Sequence, residues 1–410
     1  MKKLGLMSVI TPLVIALCAC GGNGKVSEPV ANDASPKKAA LLQQVNPLRL
    51  DSDTRIATSF SHTVALATDG LVFSWGFNGT GALGTSDYLD STTPRQISGL
   101  SNVRAVTVGQ YHSAALRGDG TVWTWGFNAD GQLGVGSGSY SIPRPTLVSG
   151  LSDVAAIASN SNRTLALRRD GNVWGWGSSR TGSSNRPVVV SNLSNVKAIG
   201  AGDSANYAIK SDGSLWAWGA NNFGQLGNGS TLQSAAPVQV LGLSGVRNVA
   251  GGMYHGLALT SDGKVWAWGT NSHGQLGIAN YFSPVAQQVP SLSGVKSISA
   301  GAYHSVAVLN SGRILSWGLN FYGAFGSGSY LFSSSTPTAM LGVSNATSIA
   351  AGYYHTMFIS STGDVFGTGY NYYGQLGTHT TSNTAVPLQT VGVRGVGNLK
   401  LGSTILKPSN

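Results

Sequence analysis

Beyond about residue 49 the apolar positions alternate with polar ones in runs of five or six, and each run is broken by glycine-rich turns. Val103 to Gly109, His112 to Arg117 and Thr121 to Gly126 form one such set, with Asp119-Gly120 between the last two. Alternation over so few residues predicts half-buried strands. An Asp-Gly pair between two of them predicts a type I′ hairpin, in which both central residues take positive φ. Trp123 and Trp125 stand two apart and share a sheet face, as do Trp174 and Trp176, Trp216 and Trp218, and Trp266 and Trp268. These pairs are expected to pack between adjacent sheets. A last strand is expected to open at Pro94, Pro145, Pro187, Pro237, Pro290, Pro337 or Pro387, since proline's missing donor costs little at a strand start.

The same set recurs along the chain. Gly76, Gly126, Gly177, Gly219, Gly269, Gly318 and Gly369 are separated by 50, 51, 42, 50, 49 and 51 residues. A second glycine lies six residues before each and a third five residues after. Four short antiparallel strands in one copy cannot bury both faces of their sheet alone, but copies arranged in a ring bury them against one another. The pattern therefore predicts an all-β chain: a seven-bladed β-propeller of four-stranded antiparallel blades, one domain over residues 49–406. The residue ending the first strand recurs eight times, at Ser59, Gly109, Ser159, Gly202, Gly252, Gly301, Gly352 and Gly402. The surplus copy suggests that the tail from Val396 to Leu406 pairs near blade one and fastens the ring.

The first residues change the cellular setting. Lys2 and Lys3 precede an apolar run from Leu4 to Leu17 that is too short for a mature membrane span, and Leu17-Cys18-Ala19-Cys20 follows. This resembles the lipobox of bacterial lipoproteins, which implies that residues 1–19 are a signal peptide and that Cys20 is lipidated. Gly21, not aspartate, follows it, which favours the outer membrane of the cell envelope. Residues 20–48 are rich in Ala, Ser, Lys and Pro without periodicity and read as a flexible tether. Both cysteines lie in the leader, which excludes disulfide, thiol and cysteine-metal chemistry in the propeller.

Without Lys2 and Lys3 the chain has 23 basic and 15 acidic residues, a formal charge of +8. The bases are scattered, apart from Arg163, Arg168, Arg169, Arg180 and Arg186, so a nucleic-acid surface is not expected. The only glutamate is Glu28, and Asp69, Asp119, Asp170, Asp212 and Asp262 fall in turns. The other aspartates, including Asp87, Asp90, Asp130, Asp153 and Asp203, show no spacing suited to paired carboxylate catalysis. His62, His112, His255, His304 and His355 occupy one repeat position and are expected to satisfy a hydrogen bond within each sheet rather than hold a metal. No phosphate loop, zinc spacing or serine elbow is present, so neither cofactor nor enzymatic activity is expected.

The copies differ most in two loops that open on the same face, and there the aromatics collect. Tyr111, Tyr254, Tyr303 and Tyr354 come from the first loop. Phe223, Tyr322, Tyr373, Tyr281 and Phe282 come from the third, with Phe321, Tyr372, Tyr88, Tyr140, Tyr330 and Phe332 nearby. Large amphipathic rings suit protein or glycan recognition, so these residues form the candidate binding face.

The string from His112 to Gly134, with His-Ser, Asp-Gly, Val-Trp-x-Trp-Gly and Gly-Gln-Leu-Gly in that order, resembles the regulator of chromosome condensation repeat, over about 350 of 410 residues. Copy three departs, with Arg163 in the histidine slot and no Gln-Leu-Gly; copy four has Ala205 there, and copies six and seven carry Ser311 and Thr362 before the turn glycine. The resemblance implies a propeller that binds proteins: relatives inhibit β-lactamases or bind a small GTPase or chromatin. Nucleotide exchange in that family uses an inserted wedge hairpin, for which copies of near-constant length leave no room. The expectation is a monomeric, surface-tethered protein-binding module. The alternatives are a carbohydrate-binding protein of the cell envelope and, further off, a propeller lyase or hydrolase acting on glycans.

Overall fold

The computed structural model describes residues 55–178, 183–290 and 292–402. The expected signal peptide, Cys20, the tether, Arg180 and the tail from residue 403 lie outside the described residues. Within them, 28 strands form seven four-stranded antiparallel sheets, each a meander of consecutive strands. Blade 1 comprises β1 (Ile56–Thr58), β2 (His62–Leu66), β3 (Val72–Gly76) and β4 (Ser91–Gln96). Blade 2 comprises β5 (Val103–Val108), β6 (His112–Arg117), β7 (Val122–Phe127) and β8 (Ser141–Leu147). The chain is a seven-bladed β-propeller.

Two local expectations are corrected. In the hairpin between β6 and β7, Gly120 has φ +81° while Asp119 keeps negative φ, so the connection is not a type I′ turn. The amide of Gly120 donates to the Arg117 carbonyl, which makes a turn closed by a left-handed glycine. Asp119 serves as an acceptor for the Thr121 amide at 3.0 Å, a task that does not need positive φ, so Ser311 and Thr362 are tolerated at that position. The prolines, in turn, do not open the last strand: Pro94, Pro145, Pro187, Pro237, Pro337 and Pro387 sit within it, and Pro290 follows the end of Phe282–Gln288. The fourth strand is an edge with no further neighbour, so proline's missing donor costs no ladder bond at positions whose N–H would face away from the sheet.

The core lies between the blades rather than inside any one of them. Seven apolar clusters occupy the seven blade interfaces, and the tryptophan pairs face the preceding blade as expected. Trp125 and Trp123, for example, pack with Val64, Leu66 and Ile97 of blade 1. Among the described residues the third glycine of a copy belongs to these contacts: a Cβ on Gly131, at φ +78°, would stand 2.6 Å from the backbone of Asn185 in the next blade's outer strand. Only glycine allows both that approach and that φ.

Backbone bonds tie the junctions at the hairpin-turn end. The amides of Val154, Val196, Val246, Val295 and Ala346 each donate to the turn glycine of the preceding blade at 2.9–3.3 Å. At the ring closure this place is taken by the tail: Leu401 donates to the Gly363 carbonyl at 2.8 Å and accepts from the Thr68 amide at 3.0 Å. Leu399 and Leu401 are buried among Ile56, Trp75, Met357 and Ile359. The tail does fasten blade 1 to blade 7, but not as an eighth inner strand. Blade 1 already has β1 joined to β2, and the vacancy is the connector that every other blade receives from its predecessor.

Candidate functional site

The repeat histidines are the densest set of titratable groups in the ring. Their Nε2 partners lie in the next blade rather than within the sheet as expected; within its own blade His62 Nδ1 meets the Ser59 hydroxyl at 3.1 Å. His62 Nε2 meets Ser113 at 2.9 Å, His112 meets Thr164 at 2.9 Å, His255 meets Ser305 at 3.0 Å and His304 meets Thr356 at 3.2 Å. His355 meets Thr58 of blade 1 across the ring closure. The hydroxyls of Ser113, Thr164, Ser305 and Thr356 donate to carbonyls of the preceding blade's third loop: Ala82, Gln132, Gln275 and Ala324. The hydroxyl oxygen therefore accepts from Nε2–H. Burial lowers these imidazoles to about 3, and His304 to about 4, so they are neutral hydrogen-bond donors. Among the described residues no group of three His, Cys, Asp or Glu side chains is placed to hold a metal ion.

The third loops are built on an asparagine column. Asn128 Oδ1 accepts from the Leu133 amide, and its Nδ2 donates to the Ser137 and Ser139 carbonyls. Asn78, Asn221, Asn271, Asn320 and Asn371 hold the equivalent amide in their own blades. Each loop is thereby fixed at its base, and its tip carries the variable aromatic residues.

Those aromatics form a continuous arc on one face. Phe223 touches Tyr254 with ring centres 4.5 Å apart, Tyr254 touches Tyr303 at 6.2 Å, and Tyr303 stacks on Tyr354 at 6.3 Å. Tyr354 meets Tyr322 and Tyr370, and Tyr370 meets Tyr373. The arc continues through Phe77 and Tyr111 to Phe127 and Tyr140. Seven of the nine candidate residues thus share one network. Tyr281 and Phe282 lie outside it: Tyr281 is 73% exposed, and Phe282 covers Gly224 of the neighbouring loop. Phe60, Phe77, Phe127, Tyr353 and Tyr370, which the sequence reading passed over, complete it. The signal for Phe77 and Phe127 was present, since each directly follows a Trp-Gly pair.

The arc is interrupted between Tyr140 of blade 2 and Phe223 in the third loop of blade 4. There the first loops carry Asn162 and Ser204 in place of the tyrosine, and Asn162 donates to Asp130 at 2.8 Å. Of the arginines that cluster along the sequence nearby, Arg168 and Arg169 pair with Asp170 and Asp153, while Arg163 is partly buried against Gly175. Inside the arc lies the end of an axial cavity of about 570 Å³, lined by the inner strands of all the blades. Asp203 and Tyr353 stand at that end, and Tyr353 OH donates to Asp203 Oδ2 across the ring from blade 7 to blade 4. Burial, with no opposing cation, pushes the Asp203 carboxyl up to about 6.

The profile of the RCC1-like domain matches residues 16–341, and that of the regulator of chromosome condensation (RCC1) repeat matches residues 346–375. The chain belongs to the RCC1-like family. This RCC1-like propeller is 31% identical over 153 residues to the RCC1 domain-containing protein RUG3, mitochondrial, of Arabidopsis thaliana. That match takes in 35% of the chain and 34% of the relative, so the chain spans about a third of its length. Among solved structures, yeast RCC1 (Prp20) bound to Kap60 superposes with a TM-score of 0.71 at 23% identity, covering 83% of this chain and 86% of that one. Human WBSCR16 gives a TM-score of 0.71 at 21% identity, covering 78% and 94%. These neighbours share the RCC1-like fold.

Proposed function

We propose that this RCC1-like propeller is a non-catalytic protein-binding module, exported and held at the outer membrane by a lipid on Cys20, with the aromatic arc as its contact surface. The arc itself carries the reading. Contiguous tyrosine and phenylalanine rings, several of them half-buried, offer a large and nearly rigid contact area with polar tips, which is the composition of interface hot spots. The yeast Prp20 structures, one bound to Kap60 and one described with binding to Gsp1p and histones, support protein binding as the general role of this scaffold.

The test is affinity capture from envelope fractions with wild-type chain and with Tyr254, Tyr303 and Tyr354 all changed to Ala. The expected outcome is loss of the captured partner in the variant, with its thermal unfolding still cooperative. Equal capture by both proteins removes the arc as the contact surface, and capture of glycan alone on an array moves the reading to a carbohydrate-binding protein. The same preparation with Cys20→Ser should leave the membrane fraction, and retention there would remove the lipid anchor.

A further inference from the structure

The sequence reading left Asp203 without a role, and it is the one carboxylate set into the axial cavity. It occupies the loop between the inner strand Val196–Ala201 and the strand Ala205–Lys210 of blade 4. At the equivalent position other blades carry Phe60, Gln110, Met253, Ala302 and Tyr353. Its backbone amide is bonded to the Gly252 carbonyl of blade 5 at 3.1 Å, so the residue is held in place. Oδ2 accepts from Tyr353, while Oδ1 is buried and has no partner. A buried acceptor left empty is costly, and more so when it is charged.

The surroundings name the chemistry that would fill it. Tyr303, Tyr353 and Tyr354 all feel the Asp203 charge, which raises their hydroxyls further above the ordinary tyrosine range than burial alone. Tyr303 OH also donates to Met253 Sδ at 3.1 Å. The Tyr353 ring and the Met253 thioether line the cavity beside this carboxylate, with Tyr354 packed against the first and Tyr303 against the second, and such a setting attracts an alkylammonium group through the carboxylate and the ring faces. The cations that line the cavity do not compete. Lys296 stands at the start of an inner strand and Arg55 just before β1, at the hairpin-turn end, where Arg55 is held by the Leu401 carbonyl. About six residues of extended strand, roughly 20 Å, separate that end from the Asp203 loop. A cation therefore meets an attractive mouth on the aromatic face and a repulsive one on the other.

We propose that the end of the axial cavity inside the aromatic arc is a binding site for a primary alkylammonium group, with Asp203 Oδ1 as the anionic contact and Tyr353 and Met253 as its walls. Tyr353 is a positioning residue that fixes the carboxylate through Oδ2. The inference rests on the arc being the contact face, and the ammonium is carried either by a lysine side chain of the protein partner or by a free small amine.

The test is the carboxyl carbon resonance of Asp203 in the full chain, assigned by its loss in Asp203→Asn and followed during titration with n-butylamine, N-acetyl-lysine methylamide and the uncharged n-butanol. Saturable shifts with an ammonium probe and none with the alcohol support the site, and Tyr353→Phe should weaken binding severalfold while the fold persists. A response to butylamine as strong as that to the lysine amide points to a free amine, whereas a response to the lysine amide alone points to a partner's side chain. No saturable shift with either amine overturns the proposal. So does unchanged amine binding by Asp203→Asn, read by calorimetry. If Asp203→Asn still captures the partner that the triple tyrosine variant loses, the arc stands and a partner-borne lysine at this site is ruled out.

Discussion

His62, His112, His255, His304 and His355 have an ordinary value of 6.5 in the unfolded chain, and burial in the ring lowers it to about 3 or 4. Between pH 4 and 6.5 the unfolded chain therefore binds these protons and the folded chain does not, so stability rises with pH across that window. Asp203 acts with the opposite sign: its folded value of about 6 lies above the ordinary 3.8, so the folded chain holds one extra proton between those values. Five imidazoles outweigh one carboxylate, and the net effect is loss of stability as pH falls through 6. Asp87 and Asp262, depressed to about 2 by hydrogen bonds to Arg95 and Thr260, act only below pH 4 and leave this window unchanged. Urea midpoints should drop steadily from pH 6.5 to 4. Replacing His255 with Gln should lower stability at neutral pH and flatten the slope by about one proton. A midpoint independent of pH across that range would show that the imidazoles are not buried as neutral groups.

The elements divide into what adjacent residues encode and what only the ring creates. Strand positions, the Asp-Gly hairpins and the tryptophan faces were legible because each depends on neighbours within about ten residues. The hairpin type was misjudged because an Asp-Gly pair fits two connections, and the choice is set by the backbone of the flanking residues. The proline position was misjudged because a fourth strand with a free edge also tolerates proline in its interior, where the N–H would face away from the ladder. The histidine partners were hidden for a deeper reason: His62 and Ser113 are one blade apart, and periodicity shows that both recur without showing that they meet. The aromatic arc was half visible, since repeat alignment marks its tyrosines but not their contacts. Asp203 was visible only as the carboxylate in a column that carries a different residue in every blade, and its partner Tyr353 lies three blades further on.

At the scale of the whole molecule, six of the seven junctions are crossed by a continuous chain, whereas the seventh is closed by a tail. β1 has three residues where β5 has six, so blade 1 holds its innermost strand with fewer ladder bonds. Leu399 and Leu401 make up for this by filling the apolar cluster between blades 7 and 1, at 4% and 1% exposure. Removing one such side chain to Ala costs about 2–5 kcal/mol anywhere in a packed core. At a covalent junction, as with Leu193→Ala between blades 3 and 4, that loss is spread over a ring that stays closed. At the tail it falls on the only junction that can part without breaking the chain, and local opening draws on the least stable contacts. Leu401→Ala should therefore speed amide exchange at Thr68 and Leu401, bonded across this junction, well beyond any change at the corresponding amides of other junctions. Ending the chain at Gly395 should lower the Tm more than Leu193→Ala does. If Leu401→Ala and Leu193→Ala lower the Tm alike and exchange stays uniform around the ring, the tail is packing without being a clasp, and closure rests on the blade faces and on cross-junction bonds such as His355 to Thr58, and Thr63 and Trp75 to the Gln375 carbonyl.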